Sequence, residues 1–451
     1  MQTLPISPIT HPLHASVRVP GSKSLTNRAL AIAALAEGTT TLTNALESDD
    51  SRYFVDALKR LGLDVRAIHH YGGLWPELPL PEIAVHGLGG RIPATTANLF
   101  IGNAGTAARF LTAFVCLGYG EYIIDGVERM RQRPIGDLVE ALQQLGVDIA
   151  PVNPTSTRSV QPPTSICPPI KVRASGLRGG LTRVAGNVSS QFLSGLLMVA
   201  PYAESPIEII VTDDLNSKPY VDLTLAIMAD FGVTVERDGY TRFSVKPQRY
   251  RALSEYAIES DASAASYFFA APAVCGGTVR VENISRNSRQ GDIAFLDVLT
   301  QMGCEVTEND HGIAVRAIHE LPLQGVGVDL RDLPDTAQTL AAIAPFANSP
   351  TTIRGIASAR VKETDRVAAT CAELRRLGVT VEEYPDGLKI YPCDHLQPAT
   401  IQTYADHRMA MAFTLVGLRV AGVVIENPGC VSKTFPNYFE VVEGLRLSKP
   451  T

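Results

Sequence analysis

A repeated α/β unit, three copies in each of two domains, is what this sequence predicts, on three observations. The chain has 451 residues, more than a single hydrophobic core ordinarily serves. One phrase recurs along it at near-equal intervals: an amphipathic helix, a glycine, then a β-branched strand start. The last helix of the series has no strand after it, so its strand has to come from elsewhere in the chain.

The phrase reads VDALKRLGLDV (Val55–Val65), VEALQQLGVDI (Val139–Ile149), LAIMADFGVTV (Leu225–Val235), LDVLTQMGCEV (Leu296–Val306) and CAELRRLGVTV (Cys371–Val381). Apolar residues at helical spacing make each an amphipathic helix. Gly62, Gly146, Gly232, Gly303 and Gly378 fall where a helix ends in the left-handed conformation that glycine enters cheaply. NYFEVVEGL (Asn437–Leu445) is a sixth helix, and the first twenty residues, Pro- and strand-like (HASVRVPG), are the expected donor of its strand. A chain whose start completes its last unit makes one domain discontinuous. The domains are therefore expected at 22–259 and at 1–21 plus 260–451.

Composition bounds the function. Hydrophobic residues make up 45% and charged residues 19%, as in ordinary globular proteins. The longest apolar stretches, such as Phe192–Ala203, fall short of the ~20 residues of a membrane span, so no membrane partner is expected. Met1–Thr10 has neither a basic nor an apolar signal region, which leads us to expect a cytoplasmic chain, or a mature one. Seven scattered cysteines without a C-x-x-C pair read as reduced, mostly buried thiols; nine histidines show no metal-binding spacing, so no metal is expected. A net charge of −6 without a long basic run argues against nucleic acid.

The segments before the helices are more telling. They read SDDSR (Ser48–Arg52), RMRQRPIGD (Arg129–Asp137), NSKPY (Asn216–Tyr220), RNSRQGD (Arg286–Asp292), ARVKETDR (Ala359–Arg366) and SKTFPN (Ser432–Asn437). Most join Lys or Arg to the Ser, Thr, Asn or Pro that cap or begin helices. Backbone N–H groups, a positive helix end and a cation pointing one way make an anion site. A solvated, capped helix start explains any one of them; recurrence at equivalent positions of a repeat favours a shared face.

Individual motifs add chemistry. PGSKSLTNRALAIAALA (Pro20–Ala36) puts Lys23 and Arg28 at the start of one helix, without the first glycine of a Walker loop. LFIGNAGTAARFL (Leu99–Leu111) places Asn103, Gly105 and Thr106 before another helix, with Arg109 either ligand-facing or structural. Arg133 precedes Pro134, which is expected in the first turn of the next helix. VSSQF (Val188–Phe192) offers hydroxyls and an amide, NSKPY offers Ser217 and Tyr220, and DLPDTAQTLAAIAPFA offers Asp335, which is otherwise a helix cap. ARVKETDR gathers Lys362, Glu363, Asp365 and Arg366; YADHRMAMAF pairs His407 with Arg408; SKTFPNYF presents Lys433.

Taken in order, GNAGTA, RPIG, SSQF, SKPY, RNSRQGD, RVKETDR, YADHRMAM and KTFPNYFE closely resemble the 5-enolpyruvylshikimate-3-phosphate synthase family, along nearly the whole chain. The resemblance implies an α/β enolpyruvyl-transferase fold of six βαβαββ-type units, three per domain, with the active site in the interdomain cleft and closed by domain movement. It implies transfer of the enolpyruvyl group of phosphoenolpyruvate to the 5-hydroxyl of shikimate 3-phosphate by a monomer without a cofactor. Shikimate 3-phosphate would be held by Lys23, Ser24, Arg28, Ser189, Ser190, Gln191, Ser217, Tyr220, Asp335 and Lys362. Phosphoenolpyruvate would be held by Lys23, Asn103, Gly105, Arg133, Gln191, Arg366, Arg408 and Lys433. Asp335 is expected as the base on the hydroxyl, with Glu363 and Lys23 delivering the proton to the methylene carbon.

Some residues depart from the family pattern. Phe110 stands where Pro is common, Ala108 where Met is frequent, and Ser358-Ala359 where Asn-Trp is common, so a differently set helix and one lost phosphate contact are expected. Glyphosate occupies the phosphoenolpyruvate site in this family; Gly105 leaves room there, whereas Phe110 does not fit the pattern. The sister reaction on UDP-N-acetylglucosamine uses a reactive loop cysteine, but Cys116 lies in the apolar run FLTAFVCLGYG and Arg129–Pro134 has no cysteine. A binding protein without activity, or an RNA-end-modifying relative, would lack the Asp335/Glu363 pair or show a basic face.

Overall fold

The computed structural model describes residues 2–68, 81–152, 166–318 and 322–447. The chain divides into two compact units, Gly21–Glu259 and Met1–Pro20 with Ser260–Thr451. Most of the Pro-rich stretch Pro151–Pro169 lies outside the described residues; its first residue ends the strand Asp148–Pro151.

Each unit holds three small sheets of one design: a parallel pair of strands, then antiparallel neighbours. In Gly21–Glu259, Thr96–Phe100 runs parallel to Tyr119–Asp125, which pairs antiparallel with Ile170–Ser175 and through it with Asp148–Pro151. The sheet built on Ile207–Val211 repeats this order. The sheet built on Glu37–Thr43 repeats it too, but takes its parallel edge from Glu255–Ala257, at the far end of the unit's sequence.

The other unit borrows strands twice. Leu13–Val17 is the parallel edge beside Gly277–Val281, and Thr3–Pro5 pairs antiparallel with Val424–Glu426 in the last, three-stranded sheet. The N-terminal segment therefore does complete the last repeat. The strand that does so is Thr3–Pro5, while the strand-like HASVRVPG part of the same segment opens the fourth. Alternation marks Leu13–Val17 as a strand, with Leu13 and Val17 buried, but strand pairing over some 260 residues leaves no local trace.

Twelve α-helices are seen among the described residues, two to a repeat. They are α1 (Lys23–Leu35), α2 (Asp49–Arg60), α3 (Gly105–Phe114), α4 (Gly136–Gln144), α5 (Ser190–Val199), α6 (Lys218–Asp230), α7 (Ala262–Cys275), α8 (Phe295–Gln301), α9 (Ala337–Ile343), α10 (Arg366–Arg376), α11 (His407–Gly417) and α12 (Tyr438–Leu447). Odd-numbered helices are inner ones: every residue of α3, α9 and α11 is buried, as their Ala- and Leu-rich sequences require of a helix apolar all round. The first five even-numbered helices, α2 to α10, are amphipathic and end at the repeated glycines. At all five the glycine has φ between 84° and 98°. Its N–H bonds the carbonyl three residues back, and the next N–H bonds the carbonyl five back, as in Gly62 to Lys59 and Leu63 to Leu58. These Schellman closures cap the outer helices and turn the chain into the next strand. No helix of the described residues is long and apolar enough to cross a membrane.

Candidate active site

In the unit Gly21–Glu259 the expected residues gather at helix starts. Lys23 is the first residue of α1, with Nζ 3.8 Å from Asp50 Oδ2 in the first turn of α2. Ser24 follows, half-buried. One turn on, Arg28 is buried and makes four hydrogen bonds: Nε to Thr224 Oγ1 (2.7 Å), Nη1 to the Ser24 carbonyl (3.0 Å), Nη2 to Ser194 Oγ (3.3 Å) and to the Tyr220 carbonyl (3.1 Å). The rings of Phe110 and Tyr220 lie 5.2 and 5.8 Å from its guanidinium carbon. Burial without a carboxylate partner lowers its pKa to about 10, so it stays charged at neutral pH. Arg28 thereby ties α1 to α5 and α6, the helices that Ser190 and Ser217 open or cap. Ser217 sits at φ 57°, a left-handed conformation uncommon outside glycine, immediately before the Lys218-Pro219 start of α6.

A second group forms around the start of α3. Arg133 Nη1 donates to the Asn103 carbonyl (2.9 Å) and to Asn103 Oδ1 (3.1 Å). A Cβ on Gly105 would lie 2.4 Å from Arg133 Nη2 and 2.8 Å from Arg109 Nη1, so only glycine lets both guanidinium groups reach the helix end. Gln191 Nε2 bonds Thr106 Oγ1 at 3.3 Å, and its backbone N–H bonds the capping Ser189 hydroxyl at 3.3 Å, which joins α5 to α3. Arg109, which sequence left open, is structural: it donates to the Gly105 and Pro134 carbonyls, each at 3.0 Å. One expectation is corrected. Pro134 is not in the first turn of α4, because Ile135 directs its N–H to the Ile166 carbonyl and the helix begins at Gly136.

The departures have plain consequences. Phe110 and Ala108 are buried in α3, and Phe110 keeps a backbone N–H that proline would lack. Ser358 and Ala359 are buried in a single 3-10 segment, Ala357–Val361.

In the other unit the expected residues form a charge network. Asp335 lies in a short 3-10 turn before α9, whose N-cap position is Thr336; its carboxylate accepts from Arg366 Nη1 (3.0 Å) and Arg408 Nη2 (2.7 Å). Glu363 accepts from Arg366 Nη2 at 2.8 Å and lies 3.7 Å from Lys433 Nζ. Arg366 and Arg408 open α10 and α11, and Lys362 stands half-buried beside Glu363. A residue that sequence reasoning passed over joins them. Asp406, fully buried, caps α11 through the Arg408 N–H and takes both Nε (2.7 Å) and Nη2 (3.2 Å) of Arg366. The available signal was its place two residues before Arg408 at a helix start. Burial opposes the charge on Arg366, but Asp406, Glu363 and Asp335 more than offset it and raise its pKa above the ordinary value.

Tyr404 and Ala405, just before Asp406, both have positive φ, and the Tyr404 hydroxyl is anchored to the buried Glu373 at 2.8 Å. Arg408 also reaches the Tyr267 hydroxyl at 3.4 Å. Asp292, from the RNSRQGD motif, is buried and bonded to Ser263; burial and then the Asp335 charge push its pKa up to about 6. His407 is fully buried.

Cations and paired carboxylates at helix starts suit polyanionic substrates and proton transfer. The model of the EPSP synthase (3-phosphoshikimate 1-carboxyvinyltransferase) family matches residues 8–442. The chain belongs to this family. It is 50% identical over 440 residues to the 3-phosphoshikimate 1-carboxyvinyltransferase of Trichormus variabilis, covering 97% of this chain and 98% of that one. The chloroplastic enzyme of Brassica napus is 46% identical over 444 residues, covering 95% of this chain and 82% of that one. Among solved structures, the EPSP synthase of Acinetobacter baumannii superposes with a TM-score of 0.76 at 24% identity, covering 99% of this chain and 98% of that one, which shows the fold. The six-repeat α/β architecture is thus the family's fold. Cys116 is buried and its thiol is pushed up by burial, the opposite of an activated nucleophile.

Proposed function

We propose that this chain transfers the enolpyruvyl group of phosphoenolpyruvate to the 5-hydroxyl of shikimate 3-phosphate, with release of phosphate. The observation that carries this reading beyond family membership is the pair Asp335 and Glu363, held by Arg366, Arg408 and Lys433. Carbon 2 of phosphoenolpyruvate becomes electrophilic only as its methylene carbon takes a proton, so an acid is needed there and a base at the hydroxyl. Asp335 takes the hydroxyl proton as the oxygen bonds to carbon 2. Glu363 with Lys23 supplies the proton that turns the methylene into a methyl group. The tetrahedral intermediate then loses phosphate from carbon 2 as a methyl proton returns to the protein, which restores the double bond in the product.

Arg133, Arg366, Arg408 and Lys433, with Asn103, Gly105 and Gln191, would hold phosphoenolpyruvate. Its anionic oxygens are natural replacements for the carboxylates that Arg366, Arg408 and Lys433 now face and for the Asn103 oxygens that Arg133 faces. Ser24, Arg28, Ser189, Ser190, Ser217, Tyr220 and Lys362 would hold shikimate 3-phosphate, with Arg28 acting on the Ser24 and Tyr220 backbones that it bonds. Lys23 belongs to one compact unit, and Asp335 and Glu363 to the other.

We read the protein as a cytoplasmic monomer that acts on small molecules and not on nucleic acid or membrane. The net charge of −6 supports the exclusion of nucleic acid, and sedimentation as a single-chain species checks the monomeric state. The deciding experiment gives purified protein both substrates and measures phosphate. Absence of phosphate release would falsify the reading. Lys23→Met is expected to abolish turnover and leave the circular dichroism spectrum unchanged.

A further inference from the structure

We infer that Arg360 is a positioning residue for the reaction: it fixes the segment that presents Lys362 and Glu363. The inference rests on the function proposed above. That segment, Gly355–Asp365, runs from the strand Thr351–Arg354 to α10, and its only regular structure is the 3-10 turn Ala357–Val361. At its start it is pinned to the neighbouring hairpin: Ile356 N–H bonds the Asp386 carbonyl (2.9 Å) and Gly355 N–H the Asp386 carboxylate (3.3 Å). Beyond that point the side chain of Arg360 takes over.

Its guanidinium makes five hydrogen bonds. Nη1 grips both carboxylate oxygens of Asp365 (3.1 and 2.8 Å), Nη2 reaches Glu383 Oε1 (3.0 Å) and the Tyr384 carbonyl (2.7 Å), and Nε reaches the Pro385 carbonyl (2.9 Å). One face of the fork thus holds the hairpin and the other holds Asp365, the residue that caps α10 through the Ala368 N–H at 3.0 Å. Lys362 and Glu363 lie between Arg360 and Asp365 in sequence, so the fork closes a short loop around them. Arg366, which bonds Glu363, is the first residue of the helix that Asp365 caps. A planar five-donor group can serve carboxylate and carbonyls together; an ammonium cannot reach all of them. Arg360 itself bonds no expected substrate-binding side chain. Its effect on the reaction therefore runs through the geometry of Glu363 and Lys362, where displacement by about 1 Å can cost on the order of 100-fold in rate.

The test compares the full-length wild type with Arg360→Gln and Arg360→Lys for kcat, for KM of each substrate, for binding of shikimate 3-phosphate alone by calorimetry, and for thermal midpoint. Arg360→Gln is expected to lower kcat by about 10- to 100-fold and to weaken shikimate 3-phosphate through Lys362, with a midpoint only a few degrees lower. Arg360→Lys, which restores one contact, is expected to recover part of the rate. A Gln variant with wild-type kcat and KM per folded molecule, whatever its midpoint, overturns the assignment and leaves the functional reading standing. If the Gln variant does not fold, a folded Lys variant with unchanged kinetics overturns it equally. A wild type that neither binds shikimate 3-phosphate nor releases phosphate overturns the functional reading, and this assignment with it.

Discussion

The two compact units treat their buried arginines in opposite ways. Around α1, α5 and α6, Arg28 faces hydroxyls and carbonyls. Around α9, α10 and α11, Arg366 and Arg408 face carboxylates. Neutral acceptors hold a guanidinium in place without cancelling its charge, so the first arrangement is a standing positive field for an anion. Carboxylates cancel the charge and are themselves proton acceptors, so the second arrangement is the one to which the proposed reaction assigns proton transfer. The two pKa directions follow: Arg28 is lowered to about 10, while Arg366 is raised.

If proton handling belongs to the carboxylate-rich unit, Asp335→Asn should produce the largest effect. The amide keeps the shape but cannot accept the hydroxyl proton, and kcat is expected to fall on the order of 10²- to 10⁴-fold. Steady-state kinetics with calorimetric binding of shikimate 3-phosphate checks this. A comparable loss from a conservative change at Ser189 or Ser190 alone, with Asp335→Asn near wild type, would reverse the roles of the two units.

Stability offers a second contrast. Arg366→Met leaves Asp335, Glu363 and Asp406 without their shared cation, at a cost of about 3–5 kcal/mol near neutral pH. Carboxylates left without that cation are penalised only while they are ionised, so the deficit is expected to be larger at pH 7.5 than at pH 5. Arg28→Met strands only neutral acceptors and should cost about 1–3 kcal/mol, with no dependence on carboxylate titration. Urea unfolding of both variants at pH 5 and pH 7.5 separates them; parallel pH dependence would erase the distinction.

How much of this was legible in the sequence divides along the same physical line, local against non-local. The repeat glycines could be read because a Schellman closure needs a left-handed residue at one fixed offset, which is a constraint within a few residues. The cations could be read because helix starts carry them in recognisable company. Asp406 and Arg360 were not singled out, because in sequence each is only a charged residue near a helix start, while their importance comes from partners 23 to 40 residues away. Which part of the N-terminal segment completes the last repeat was hidden for the same reason: Thr3–Pro5 is too short for alternation to mark, and only its pairing with Val424–Glu426 makes it a strand. Pro134 was misplaced because the bond from Ile135 to Ile166, ahead of the helix, joins residues far apart in sequence.

Asp292 sharpens the contrast within the carboxylate-rich unit, since burial and then Asp335 push it up to about 6. A carboxyl group with a raised folded-state pKa binds its proton more tightly folded than unfolded. Its penalty is absent below the unfolded pKa and is complete above the folded one, so stability falls between about pH 4 and pH 6. Asp292→Asn is expected to gain roughly 1–3 kcal/mol at pH 7.5 and to flatten the profile across that window. Thermal melts from pH 4 to pH 8 check it; an unchanged slope would mean that Asp292 is matched to its surroundings.

The smallest expected effect probes the neutral-acceptor unit through Phe110. Its ring lies 5.2 Å from the Arg28 guanidinium, on the same helix whose first residue, Gly105, meets Arg133. A ring face stabilises a buried cation without neutralising it, as the carbonyls around Arg28 do. Phe110→Leu keeps the apolar volume and loses that attraction, so it should cost about 1 kcal/mol at any pH between 5 and 8. Phe110→Pro would also remove a helix N–H in the interior of α3 and should cost about 3 kcal/mol or more. If the Leu variant is as stable as wild type, the neutral hydrogen bonds alone hold Arg28, and the aromatic substitution at this position is a matter of packing. If its loss grows with pH, a titrating group acts on Arg28, and the unit would no longer be a field of fixed charge.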